Sequence, residues 1–185
     1  MPRPKILDIS NSVLVIVDVQ EAFRSVVPDF ALMTSRIAMA IRGFNTLGVP
    51  IIVTEQYPKG LGRTAEELLL SLPDDLEPIE KSTFSAYGDP AFVEKLNELG
   101  KKQVVLCGLE THICVNQTAH DLLANGFDVH LLTDCVASRF EHDKHAGLAN
   151  MLANGAVASS TEMALFEMMR DSKHPKFKDV QEIVK

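Results

Sequence analysis

Three side chains of this 185-residue sequence have the chemistry for covalent catalysis: Asp18, Lys81 and Cys114. Asp18 directly follows the apolar run VLVIV (13–17). Lys81 closes the stretch 77–81, and Cys114 comes a short turn after QVVLC (103–107). A carboxylate, an amine and a thiol together form an assisted nucleophile, in which a base takes the thiol proton, a cation steadies the charged pair and sulfur attacks an acyl carbon. Each residue also has a plainer reading. Cys114 fits a small buried side chain, Asp18 a helix cap, and Lys81 a solvated lysine after an edge strand.

Spacing sharpens the first of these choices. With Thr111 as an N-cap, Cys114 falls at the third helical position, among backbone N–H groups that have no intrahelical partner. Those donors and the positive end of the helix dipole lower a thiol pKa and can receive the charge of a tetrahedral oxyanion. Around Asp18, several other chemistries are excluded. An aspartyl-phosphate phosphatase needs a second aspartate where Gln20 stands, and a phosphate-bound cofactor needs a glycine-rich turn that DVQE lacks. A tyrosine-phosphatase loop needs an arginine soon after the cysteine, but VNQT follows Cys114.

Such residues need a scaffold, and the rest of the chain supplies one. The runs 13–17, 49–53, 103–107 and 128–133 are nearly continuous in apolar residues, as strands buried on both faces of a parallel sheet are. Weaker strand candidates are 77–81 and 156–159. Between them lie helical patterns: Met33, Ile37, Ile41 and Phe44 up to Gly48, then 90–99 up to Gly100, then 111–125 up to Gly126. Two S-x-x-E capping boxes, at 138–141 and 159–162, open helices reaching Asn154 and Arg170, and the tail from 175 to 185 has room for one more. Alternating strands and helices give one α/β domain over 1–185, a three-layer sandwich around a parallel sheet. Ligands of such sheets bind beyond the carboxyl ends of the strands, where the three residues fall.

Composition narrows the class. Eighteen basic against 25 acidic residues leave a net charge of −7, which disfavours nucleic acid and anionic membranes as partners. No apolar run approaches a membrane span, and MPRPKILDIS has no apolar stretch of a secretory signal. Three cysteines at 107, 114 and 135 form neither a disulfide framework nor a zinc pair, which points to a cytoplasmic, reducing setting.

In combination, the segments VLVIVDVQEAF, VPIIVTEQYPKGLG, EKSTFSAY and VVLCGLETHICVNQTAHDLLANGFDVHLLTDCVASR resemble the isochorismatase-like cysteine hydrolases. The likeness runs from about residue 12 to 182. TEQYPKGLG and HPKFKDVQEIVK are similar to the isochorismatase-domain-containing subgroup, most of which has no settled substrate. The resemblance implies a Rossmann-like sheet of six parallel strands in the order 3-2-1-4-5-6, which brings Asp18 and Cys114 into one crevice. It implies Asp18 as base, Lys81 as electrostatic support and Cys114 as nucleophile. It further implies a cis peptide at Leu109–Glu110 that sets the Glu110 and Cys114 N–H groups side by side as oxyanion donors. A homo-oligomer is also usual in the family.

Two departures from the wider family bear on the substrate. Metal-dependent nicotinamidases carry histidines after strand 2, whereas this chain reads Thr54-Glu55-Gln56-Tyr57 there, with no histidine before His112. Neither a metal nor a cofactor is therefore expected. True isochorismatases cleave a vinyl ether by acid chemistry and lack the cysteine, so Cys114 favours acyl transfer on a small amide, ureido or related compound. The vinyl-ether reaction and a non-catalytic oligomeric binding protein are the alternatives. Phe23, Tyr57 and Phe84 follow strands and are candidate pocket walls, while Gln20 and Gln56 are candidate partners for a substrate amide. His142 and His145 lie in EHDKH, a pattern of a solvated helix face. Met163, Met168 and Met169 suit core or subunit contact. Glu110, unusual in its turn, faces either the pocket or a neighbouring subunit.

Overall fold

The structure, a computed structural model, describes residues 6–185. Part of the N-terminal stretch considered above, residues 1–5, lies outside the described residues. Six strands form one parallel sheet: β1 (Ser12–Val17), β2 (Ile51–Gln56), β3 (Ile79–Lys81), β4 (Gln103–Gly108), β5 (Asp128–Val136) and β6 (Val157–Ser159). Their order is β3-β2-β1-β4-β5-β6, so the chain reverses direction across the sheet between β1 and β4. All six residues of β1 and all six of β4 are buried, which accounts for their unbroken apolar sequence.

Eight helices cover the sheet: α1 (Phe30–Thr46), α2 (Pro58–Leu61), α3 (Glu66–Leu69), α4 (Pro90–Leu99), α5 (Asn116–Ala124), α6 (Glu141–Ala153), α7 (Thr161–Met169) and α8 (Phe177–Val184). α1 packs with α3, α7 and α8, and α5 packs with α6. α1 buries Met33, Ile37, Ile41 and Phe44, the stripe its periodicity predicts. α4 starts on an Asp89 cap with Pro90 at its first position and ends at left-handed Gly100.

Several boundaries differ from the sequence expectation, each for a local reason. β2 begins and ends later than 49–53 because Thr54, Glu55 and Gln56 pair with Ile79, Glu80 and Lys81 of β3. β5 runs past Asp134 because Val136 pairs with Gly108 after an irregularity in β4. The box at 138–141 does not cap α6: Ser138 Oγ pairs with His112 Nδ1 at 3.0 Å, and Phe140 takes the cap position. α7 is capped one residue later than its box, through Ser160 Oγ and the Met163 N–H. Cys114 lies not in an α-helix capped by Thr111 but in a π-helical turn, Thr111–Val115, with Glu110 before it. Thr111 instead turns both its N–H and its hydroxyl to the Ala137 carbonyl.

Gly108 brings this turn against β1. Its φ is 120°, and a Cβ there would lie 2.1 Å from the Val17 carbonyl oxygen. Only glycine allows the end of β4 to approach β1 that closely. The Leu109 N–H then donates to the same Val17 carbonyl at 2.8 Å, one residue before Asp18.

Candidate active site

Asp18, Lys81 and Cys114 converge at the carboxyl ends of β1, β3 and β4, and all three are buried. The Asp18 backbone is left-handed, with φ 51°, and its N–H donates to the Thr54 carbonyl at 3.1 Å. Lys81 Nζ donates to Asp18 Oδ2 at 2.6 Å, and Thr54 Oγ1 donates to Asp18 Oδ1 at 2.7 Å. The Cys114 thiol completes the set, close enough to Asp18 for each group to shift the other's ionisation. β1 and β2 are in register at Val17 and Thr54, which is why the threonine meets the aspartate.

Lys81 is enclosed more fully than a solvated lysine of an edge strand. Besides Asp18, its ammonium faces Gln56 Oε1 at 2.7 Å and the carbonyls of Thr83 at 3.0 Å and Phe84 at 3.2 Å. Such caging holds a buried cation in one place beside the carboxylate.

The electrostatics correct one sequence expectation. The turn was expected to lower the Cys114 pKa; burial, followed by the Asp18 charge, instead pushes the thiol up to about 12, with Lys81 opposing. Burial also pulls the Asp18 carboxyl upward, against the downward pull of Lys81, Thr54 and Cys114. Burial and the Asp18 charge thus disfavour a standing thiolate at Cys114.

These residues border a cavity of about 120 Å³, walled by Phe23, Gln56, Leu61, Phe84, Leu109, Glu110 and Ile113 with Asp18 and Cys114. Four larger hollows, of about 630, 450, 260 and 230 Å³, lie elsewhere among the described residues; none is lined by a thiol or by any of the three residues. Phe23, Gln56 and Phe84 line the cavity. Tyr57 does not, being 60% exposed on the outer side of the loop. Gln20 is not in the wall either. Its Nε2 donates to the Gln56 and Gly62 carbonyls at 3.0 and 2.7 Å, and its Oε1 accepts from the Gln56 N–H at 2.8 Å. That amide therefore holds the loop 57–64 and has no hydrogen left for a substrate. Buried Glu55 grips the same loop by accepting from the N–H and hydroxyl of Thr64.

The Leu109–Glu110 peptide is cis. The Ile113 and Val115 N–H groups both turn to the Glu110 carbonyl, and the Glu110 side chain is buried in the cavity wall. Thr54 and Ile113 follow strands, and Leu61 lies in the KGLG loop expected to border the pocket, but sequence reading gave none of the three a role of its own and missed the Glu110–Arg139 pair. Thr54 carried a usable signal, since it closes its apolar run as Asp18 closes the neighbouring one. Among the described residues, no three His, Cys, Asp or Glu side chains cluster in a way that could hold a metal ion. Nor is any of their helices long and apolar enough to cross a membrane.

The isochorismatase-domain family model matches residues 12–163. Isochorismatase domain-containing protein 2 of Xenopus laevis is 40% identical over 175 residues, covering 94% of this chain and 83% of that protein. Among solved structures, the MAR1 ribonuclease of Caenorhabditis elegans superposes with a TM-score of 0.92 at 36% identity, covering 97% of this chain and 92% of that one. YcaC of Pseudomonas aeruginosa, determined with hexane-2,5-diol and covalent acrylamide, gives 0.89 at 25% identity over 97% of this chain and 91% of that one.

Proposed function

The chain belongs to the isochorismatase family, and we propose that within it this protein is a metal-independent cysteine hydrolase of small amide, ureido or related acyl compounds. One observation carries the reading: a thiol that shares a small cavity wall with a buried carboxylate, itself 2.6 Å from a caged lysine. As a substrate carbonyl enters, Asp18 takes the Cys114 proton and the thiolate adds to the carbonyl carbon. Lys81 offsets the charge on the pair. The Glu110 and Cys114 N–H groups receive the oxyanion. Collapse expels the amine, which leaves with the proton from Asp18, and a thioester remains on Cys114. Asp18 then deprotonates a water that attacks the thioester, releasing the acid and restoring the thiol.

Support comes from both geometry and size. The carboxylate–thiol contact suits proton transfer on demand better than storage of a thiolate. A cavity of about 120 Å³ suits a short acyl group and excludes a polymer. Acrylamide bound covalently to YcaC is the behaviour of a reactive centre on this fold. The ribonuclease relative raises RNA as a substrate, but the net charge of −7 and the cavity size favour a small molecule. The three free, buried cysteines suit a reducing cytoplasm, and exposed Phe84, Phe140, Met163 and Phe166 suit a homo-oligomer.

The test is to trap an acyl-enzyme. A panel of short amides and ureides, with an RNA oligonucleotide alongside, is quenched in acid and read by peptide mass spectrometry. Acylation of Cys114 that is absent in Asp18→Asn supports the reading. Turnover that survives Cys114→Ala points to thiol-independent chemistry. Cleavage of the oligonucleotide alone overturns the small-acyl assignment.

A further inference from the structure

Besides the reacting trio, the cavity has one more charged side chain. Glu110 is 5% exposed and shares the cavity wall with Cys114. Its Oε1 accepts from both the Arg139 backbone N–H and Arg139 Nε, each at 3.0 Å. That clamp engages one oxygen and leaves Oε2 outside the Arg139 contact. The Arg139 side chain is 46% exposed, so water screens its charge. The Glu110 carboxylate also adds to the upward push on the Cys114 thiol, so its field reaches the sulfur.

The cavity offers no matching cation. An ammonium has three N–H donors, and those of Lys81 already face Asp18, Gln56, Thr83 and Phe84. Among the described residues, no lysine, arginine or histidine lines the cavity. A substrate carboxylate entering it would meet Asp18, whose charge Lys81 already engages, and Glu110, whose charge half-exposed Arg139 offsets only in part, among apolar walls that raise the cost of a further unpaired charge. An N–H or an ammonium would meet an acceptor.

We propose that Glu110 sets the charge preference of the site, accepting an N–H or a positive group of a small neutral or cationic acyl compound and turning away compounds that carry a carboxylate. This specificity rests on the reading of Cys114 as the nucleophile.

Two nearly isosteric thiol reagents test it without a known substrate. Site-resolved labelling of Cys114 by iodoacetate and by iodoacetamide gives a rate ratio, which is compared with the same ratio for 2-mercaptoethanol. The ratio for Cys114 is expected to be at least about tenfold lower than for the free thiol, and aminoethyl methanethiosulfonate should outpace its sulfonatoethyl analogue. Both comparisons use the wild-type protein, so they decide even where a variant fails to fold.

Glu110→Gln should raise the iodoacetate ratio about tenfold, whereas Arg139→Gln, which leaves the carboxylate without its partner, should lower it or leave it low. If Glu110 merely anchored Arg139, the two variants would move the ratio alike. A wild-type ratio equal to that of the free thiol overturns the charge preference while leaving the nucleophile in place. A Cys114 that reacts with none of the reagents overturns both.

Discussion

In the proposed mechanism Asp18 influences Cys114 in two opposed ways: as the base it activates the thiol, and as a negative charge it disfavours the thiolate. Asp18→Asn should therefore abolish turnover while making Cys114 easier to ionise. Turnover and the pH dependence of labelling in the same preparation check both halves. The same substitution strands the Lys81 ammonium at a fully buried site. It should lower stability by about 3–5 kcal/mol, measured by urea titration. The pH dependence follows in sign. A folded-state thiol pKa raised to about 12 contributes stability below the unfolded value near 9, and that contribution is lost as pH rises through the folded value. Between pH 8 and 11, the melting temperature of the wild type should fall more steeply than that of Cys114→Ala. For Asp18, the upward pull of burial places the acid limb of the rate profile above the ordinary carboxylate range, with activity rising as pH climbs through it.

At the level of elements, positioning comes from contacts distant in sequence. Gln20 holds the loop 57–64 through the Gln56 and Gly62 backbones, and that loop carries Leu61 into the cavity wall. Gln20→Ala should raise KM more than it lowers kcat, with a stability loss of only about 1–3 kcal/mol; steady-state kinetics and thermal melting separate the two. Gly108→Ala is expected to be far harsher, since its Cβ would meet Val17 backbone that cannot move aside. These contacts mark the limit of what the residues alone could tell. β1 and β4 were legible because burial on both faces leaves an unbroken apolar run. The capping boxes misled because Ser138 has a better partner in His112, 26 residues away in the chain. The clamp by Gln20 reaches a carbonyl 42 residues away, which no local pattern encodes. The raised thiol pKa was hidden as well, because it depends on burial and on Asp18 lying across the sheet.

As a whole molecule, the protein presents a net charge of −7 and a small cavity at the place where its strand order reverses. A surface of that sign should give RNA no salt-dependent foothold. Fluorescence anisotropy with a single-stranded oligonucleotide at 50 and 200 mM salt (about the range over which basic binders lose most affinity) is expected to show no binding at either. A salt-sensitive signal would mean a local basic surface that the net charge conceals. The position of Asp18, Lys81 and Cys114 beyond the strand ends was legible from sequence because parallel α/β sheets place ligands there. Their mutual approach was not legible from the residues themselves, since the strand order came only through the family resemblance.

Keeping the thiol protonated also affects how the protein endures oxidants. Peroxide attacks the thiolate, so susceptibility follows the ionised fraction and its exposure. With its pKa raised by burial and by Asp18, Cys114 is mostly un-ionised at neutral pH. On the proposed mechanism the nucleophile is then guarded from sulfenic acid until a substrate recruits Asp18. A hydrolase that works this way should remain active through oxidative stress that silences hydrolases relying on a standing thiolate.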